Sequence, residues 1–193
     1  GAAISKRVLA VEVLTALLFA WLWNHYGAGT ALAVATVYTA ILVVIFFIDL
    51  EHRLVLNRVI YPSLILALAL SLLRSWPGDP LALSPVTPTV INALLGGAVG
   101  FLALYLPAWL SRGGMGAGDV TLGAFAGLAV GLPAVVAGIF LGFVAGGAVA
   151  TFLLLTRLRG RRDPVPYAPF LATGAWVALL YGNQIMGWYL GRF

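Results

Sequence analysis

The sequence predicts an all-α fold, a polytopic membrane helix bundle of about seven apolar segments with one of them short, and three observations carry that prediction. Of 193 residues, 62% are hydrophobic and only 9% are charged, against roughly 25% charged in a soluble domain. Mean hydropathy is +1.05, and so few charges could not cover a water-facing surface. The apolar residues fall into long runs, and a bilayer span needs roughly 20 of them, with a working range of about 17–25. A soluble globular domain and a disordered tail are excluded, and with no cysteine so is a disulfide scaffold. Residues 1–193 read as a single membrane-embedded domain.

The first segment runs from Val8 to Trp23 and follows Lys6-Arg7. It lacks a small-residue cleavage site and ends in interfacial aromatics, so it reads as a retained span rather than a signal peptide. Asn24 to Gly27 make a turn, and Thr30 to Ile48 form the second segment. Asp49 to Asn57 are polar, Val59 to Leu73 form the third segment, and Arg74 to Pro88 are a loop rich in Pro and Gly. Thr89 to Leu110 form the fourth, and a glycine-rich stretch leads to Asp119.

Val120 to Leu155 would be ~54 Å long as one helix, far beyond the ~30 Å hydrocarbon core. Gly131-Leu132-Pro133 divides it into Val120–Val130 and Ala134–Leu155. The short limb needs either a thinned membrane or shielding by neighbouring helices. Tyr167 to Leu190 form the last segment. With seven segments, Lys6, Arg7, Arg53, Arg58, Arg112, Arg157, Arg159, Arg161 and Arg162 fall on one side, and only Arg74 and Arg192 on the other. By the positive-inside rule the N-terminus is cytoplasmic and the C-terminus outside. The net charge of +5 therefore reflects topology and contact with membrane lipids, not a nucleic-acid partner. Gly96, Gly97 and Gly100, and Gly138, Gly142, Gly146 and Gly147, lie at helical spacing that suits close helix packing.

Charges near hydrocarbon are costly and point to function. Asp79 reads as a solvated turn residue, Asp163 as part of an arginine-rich loop, and Glu51 as a loop residue beside His52 and Arg53. Asp49 ends the second segment and Asp119 begins the short fifth, both at the cytoplasmic edge. Two carboxylates from separate helices at one depth can pair, one ionised to activate water and the other protonated to donate. Gly114, Gly116 and Gly118, just before Asp119, leave bare backbone on which an extended substrate peptide could pair. The competing readings are a helix N-cap for Asp119 and an interfacial charge near Arg53 for Asp49. His25 lies at the opposite edge, and with His52 it offers too few ligands for a metal site.

Gly114-Met115-Gly116-Ala117-Gly118-Asp119 resembles the second aspartate motif of the type IV prepilin peptidases, membrane-embedded aspartyl proteases. Asp49-Leu50-Glu51-His52-Arg53-Leu54 resembles their first aspartate motif. Val165-Pro166-Tyr167-Ala168-Pro169-Phe170 resembles the stretch that opens their last helix, and Val11 to Phe19 resembles the start of their protease domain. The resemblance covers nearly the whole chain in order. It implies an aspartic-type endopeptidase in a bacterial inner membrane that cuts prepilin or pseudopilin precursors after a glycine, between a short basic leader and an apolar helix. It implies catalysis by Asp49 and Asp119 without metal or cofactor, and substrate contacts from Pro166, Tyr167 and Pro169. Glu12 matches a family Glu, with a structural role expected, either a hydrogen bond across the bundle or a pairing with Lys6 or Arg7.

Two positions depart from the family pattern. Val55-Leu56-Asn57 stands where Ile-Pro-Asn is common, and Thr121 stands where Lys is common. Bacterial members carry a preceding methyltransferase region with two cysteine pairs. Gly1 to Ser5 resemble the residues after it, so a protease core without methyltransferase activity or zinc is expected. A proton-coupled transporter would want its carboxylates near mid-membrane and a repeat. A non-cleaving pilin-binding scaffold has no need of two acids. A presenilin-like enzyme would want Tyr before Asp49, where Ile48 stands.

Overall fold

The structure, a computed structural model, describes residues 6–75, 87–110, 116–158 and 166–191. Seven helices occupy them: α1 (Lys6–Tyr26), α2 (Thr30–His52), α3 (Asn57–Ser75), α4 (Val90–Leu110), α5 (Ala117–Val130), α6 (Ala134–Leu155) and α7 (Ala168–Leu190). Each expected segment is a helix, and no strand is present among the described residues. Helices α1, α2, α3, α4 and α6 are long and apolar enough to cross a membrane. At 23 residues α7 reaches ~34 Å, but Asn183 and Gln184 dilute its hydropathy. Exposed Leu17, Ile65, Ile91, Phe140 and Leu155 give the bundle an apolar exterior, the inverse of a water-soluble surface. The chain is a multi-pass membrane protein.

The helix α5 is the hub. Its 14 residues span only ~21 Å, and it packs on α3, α4, α6 and α7. Val120, Leu122, Phe125, Ala126 and Ala129 are buried there. Its neighbours thus shield this short limb. Its approach to α4 is through paired glycines: a Cβ on Gly100 would run into the Gly123 carbonyl, and one on Gly127 into the Gly96 carbonyl. Gly138 and Gly174 bring α6 and α7 together in the same way. Without a hydrophobic drive between helices in lipid, such backbone-to-backbone contact is the main source of attraction.

The α5–α6 turn is fixed to α4 by one side chain. The Asn92 carboxamide donates to the Leu132 carbonyl at 3.0 Å and accepts from the Leu132 N–H at 2.7 Å. Gly131, at φ +68°, caps α5 by donating to the Gly127 carbonyl, a backbone conformation that suits glycine. Between α2 and α7 the Trp176 indole N–H donates to the Thr39 hydroxyl at 3.0 Å.

Three expectations are corrected. Helix α2 does not stop at Ile48 but continues to His52, ended by Arg53 in the left-handed region, whose N–H bonds the Asp49 carbonyl at 2.8 Å. Glu51 and His52 are therefore helical, exposed, and 3.9 Å apart. Helix α5 starts at Ala117, and its N-cap is Gly116, not Asp119. Glu12 is exposed, because α1 packs chiefly along α2 at the edge of the bundle; it makes no bond across the bundle. Asp79 and Asp163 lie outside the described residues.

Candidate active site

Asp49 sits three residues from the end of α2. It continues the stripe Tyr38, Leu42 and Ile45, spaced to face the bundle interior, and like them it is buried, with 5% of its surface exposed. The carboxylate takes a hydrogen bond from the backbone N–H of Ala168, the first residue of α7. The first-turn amides of a helix have no partner within it and favour an anion. The remaining oxygen, Oδ2, is sealed from solvent without a partner.

Asp119 is the third residue of α5. Its backbone N–H donates to the Gly116 carbonyl at 3.1 Å, and its carboxylate reaches back to the Gly116 N–H, the geometry of a residue that closes the first turn on its own N-cap. It is half-buried. Its carboxylate lies close enough to Asp49 for the two charges to act on each other. The Gly118–Val55 contact determines where α5 enters: a Cβ on Gly118 would come within 2.6 Å of the Val55 Cβ. The bare glycine thus lets the α2–α3 connection press against the start of α5, beside Asp119.

The third wall is Tyr167, the N-cap of α7, whose carbonyl accepts from Phe170 at 3.0 Å and Leu171 at 3.2 Å. Its hydroxyl is buried and lies within electrostatic range of the Asp119 carboxylate. The ends of α2, α5 and α7 therefore converge on one spot. Pro169 is buried and Pro166 half-buried on the same α7 entry. Gly116 is exposed, and a Cβ there would meet only ordinary contacts. Gly114 lies outside the described residues.

Thr121 uses its hydroxyl on the Gly118 carbonyl at 2.9 Å, so it puts no cation beside Asp119. His25 packs edge-on to Tyr26 and Tyr181, at the far end of α1. Among the described residues no cluster of His, Asp and Glu could hold a metal ion. A groove of about 250 Å³ lies between α1, α2 and α7, lined by Leu14 and Leu18 of α1, Leu42 and Phe46 of α2, and Ala172 and Trp176 of α7. Phe46 precedes Asp49 by three residues and Ala172 follows Ala168 by four, so the groove and the carboxylate share the α2–α7 seam. Neither the Val55 contact nor the groove was visible in the sequence, although the Gly-Xaa-Gly spacing marked where a close approach would fall.

Residues 36–151 match the type IV leader peptidase family, a span that includes both aspartates. The chain belongs to that family. A prepilin leader peptidase/N-methyltransferase from Bacillus subtilis (strain 168) is 32% identical over 193 residues, covering 98% of this chain and 72% of the relative. Proteins of the same name from Aeromonas hydrophila and Dichelobacter nodosus are 32% and 36% identical, and the chain spans all of itself and 64% of each. No solved structure matches the chain. Within this leader peptidase frame, Asp49 and Asp119 are the acids that the fold brings to one place.

Proposed function

We propose that this chain is an intramembrane aspartyl endopeptidase that removes the cytoplasmic leader of type IV prepilin or pseudopilin precursors after a glycine. The observation that carries the reading is the convergence of Asp49 and Asp119, from different helices, within electrostatic range of each other at the ends of α2 and α5. The leader peptidase family and the names of its relatives support the substrate class. The arginine distribution supports a bacterial inner membrane orientation with the pair on the cytoplasmic side.

Two neighbouring carboxylates resist double ionisation and share one proton. The ionised one takes a proton from water as the water oxygen attacks the scissile carbonyl carbon. The protonated one gives its proton to the carbonyl oxygen, which yields a tetrahedral diol. Proton transfer to the amide nitrogen then breaks the C–N bond and releases a carboxylic acid and an amine. No metal or cofactor takes part. The exposed Gly116, with Gly114 and Gly118, offers backbone for the extended leader, and Pro166, Tyr167 and Pro169 shape the opposite wall. The apolar helix after the cut lies in lipid along the bundle, with the α1–α2–α7 groove receiving its first side chains.

The test is cleavage of a purified prepilin in liposomes, with the product mass read out, by wild type, Asp49→Asn and Asp119→Asn. Wild type is expected to release the leader at the glycine bond, and both variants, folded to the same Tm, to lose at least about 1,000-fold in rate. Equal cutting by all three would refute the reading.

A further inference from the structure

In the dyad mechanism the protonated carboxylic acid is the one group that serves the carbonyl oxygen as negative charge builds on it. Among the described residues, three buried side-chain atoms have no hydrogen-bond partner: the Tyr38 hydroxyl, the Asp49 Oδ2 and the Tyr167 hydroxyl. A buried polar group left unpaired costs about 1–3 kcal/mol. Such groups at a functional site are candidates for a partner that arrives with the substrate. Tyr38 lies deep between α2 and α5, its ring edge-on to Phe125 at 5.9 Å. The other two belong to the site.

Tyr167 is held as a donor must be. It sits one residue before Ala168, whose N–H bonds Asp49, and within reach of the Asp119 charge, so its position is tied to both carboxylates. Its ring packs on Phe143 with centroids 5.6 Å apart. Gly146 of α6 admits it, because a Cβ there would come within 3.3 Å of the Tyr167 ring. The hydroxyl is thus fixed by packing and not by any hydrogen bond, and it is shut off from water. A dry, preorganised donor beside a centre where charge develops contributes more than the same group in water.

We infer that the Tyr167 hydroxyl is a catalytic residue that donates a hydrogen bond to the scissile carbonyl oxygen in the tetrahedral transition state. This rests on the proposed dyad. No bond to Tyr167 forms or breaks, and its proton stays on its oxygen. Since the contact strengthens as charge builds, its loss lowers kcat and leaves KM in place.

Tyr167→Phe removes the hydroxyl and keeps the ring contacts with Phe143 and Gly146. Measured with prepilin in liposomes beside Asp119→Asn, it is expected to lose about 100-fold in kcat, with KM within about twofold and Tm unchanged. A kcat retained at the wild-type level, or a rise in KM alone, overturns the inference while leaving the dyad standing. Cutting by Asp119→Asn would instead overturn the dyad. Should Tyr167→Phe fail to fold, fluorinated tyrosines at 167 keep ring and hydroxyl while varying donor acidity. A kcat that changes with that acidity at constant KM is expected, and a flat response overturns the inference.

Discussion

At the scale of single residues, what distinguishes the site is which side chains are missing. Gly118 is bare because Val55 fills the place of its Cβ, whereas a Cβ on Gly116 would meet only ordinary contacts, Asp119 Oδ2 at 3.6 Å the nearest. Their alanine variants should therefore fail differently. Gly118→Ala has to displace Val55, and shifting a catalytic group by about 1 Å can cost on the order of 100-fold. Its kcat is expected to fall by about tenfold or more, with a lowered Tm. Gly116→Ala is expected to keep Tm and most of kcat and to raise KM, because a methyl there fits beside Asp119 without displacing it and stands in the way of an incoming peptide. Steady-state kinetics beside thermal melts would check both. The two aspartates were legible from the sequence because an acid among apolar residues is expensive and stands out. The role of Glu12 was not, because a linear reading says how deep a residue lies along a helix but not which face carries it. On α1 that face is turned away from the bundle.

At the scale of elements, hydropathy located every helix but misjudged their ends. It marks where lipid can touch, and the last turn of α2 is polar yet still helical until Arg53 closes it. The first turn of α5 is glycine-rich, and Asp119 closes it by reaching back to the N–H of its N-cap Gly116. Helix packing was half legible. The glycines of α4 and α6 were expected to make close contacts, but their partners Gly123, Gly127 and Gly174 can be identified only once the topology is known. The Asn92 clamp on Leu132 gave no sequence signal at all. Asn92→Leu would strand the N–H and carbonyl of Leu132, at about 1–3 kcal/mol for each buried group. A lower Tm in detergent is expected, with cleavage by the folded fraction retained, since the clamp is at the opposite end of α5 from Asp119. A Tm equal to wild type would show that the turn holds without it.

At the scale of the whole molecule, one short helix organises the rest. Because α5 is enclosed by α3, α4, α6 and α7, its N-terminus can bring an acid into a bundle that lipid cannot reach. Because α2 and α7 meet along the Thr39–Trp176 contact, Asp49 faces that acid from the other side. Residues 36–151 match the leader peptidase family, and three of the resembling motifs lie at helix ends. Two of those ends carry Asp49 and Asp119, and the third carries Tyr167 and the Ala168 amide. The central claim is that Asp49 and Asp119 act as a single unit. The most direct measurement is the single-turnover rate of prepilin cleavage by Asp49→Asn, Asp119→Asn and the double variant. A unit predicts that each single loss already equals the double loss. Independent, multiplying losses, or substantial cutting by either single variant, would contradict it.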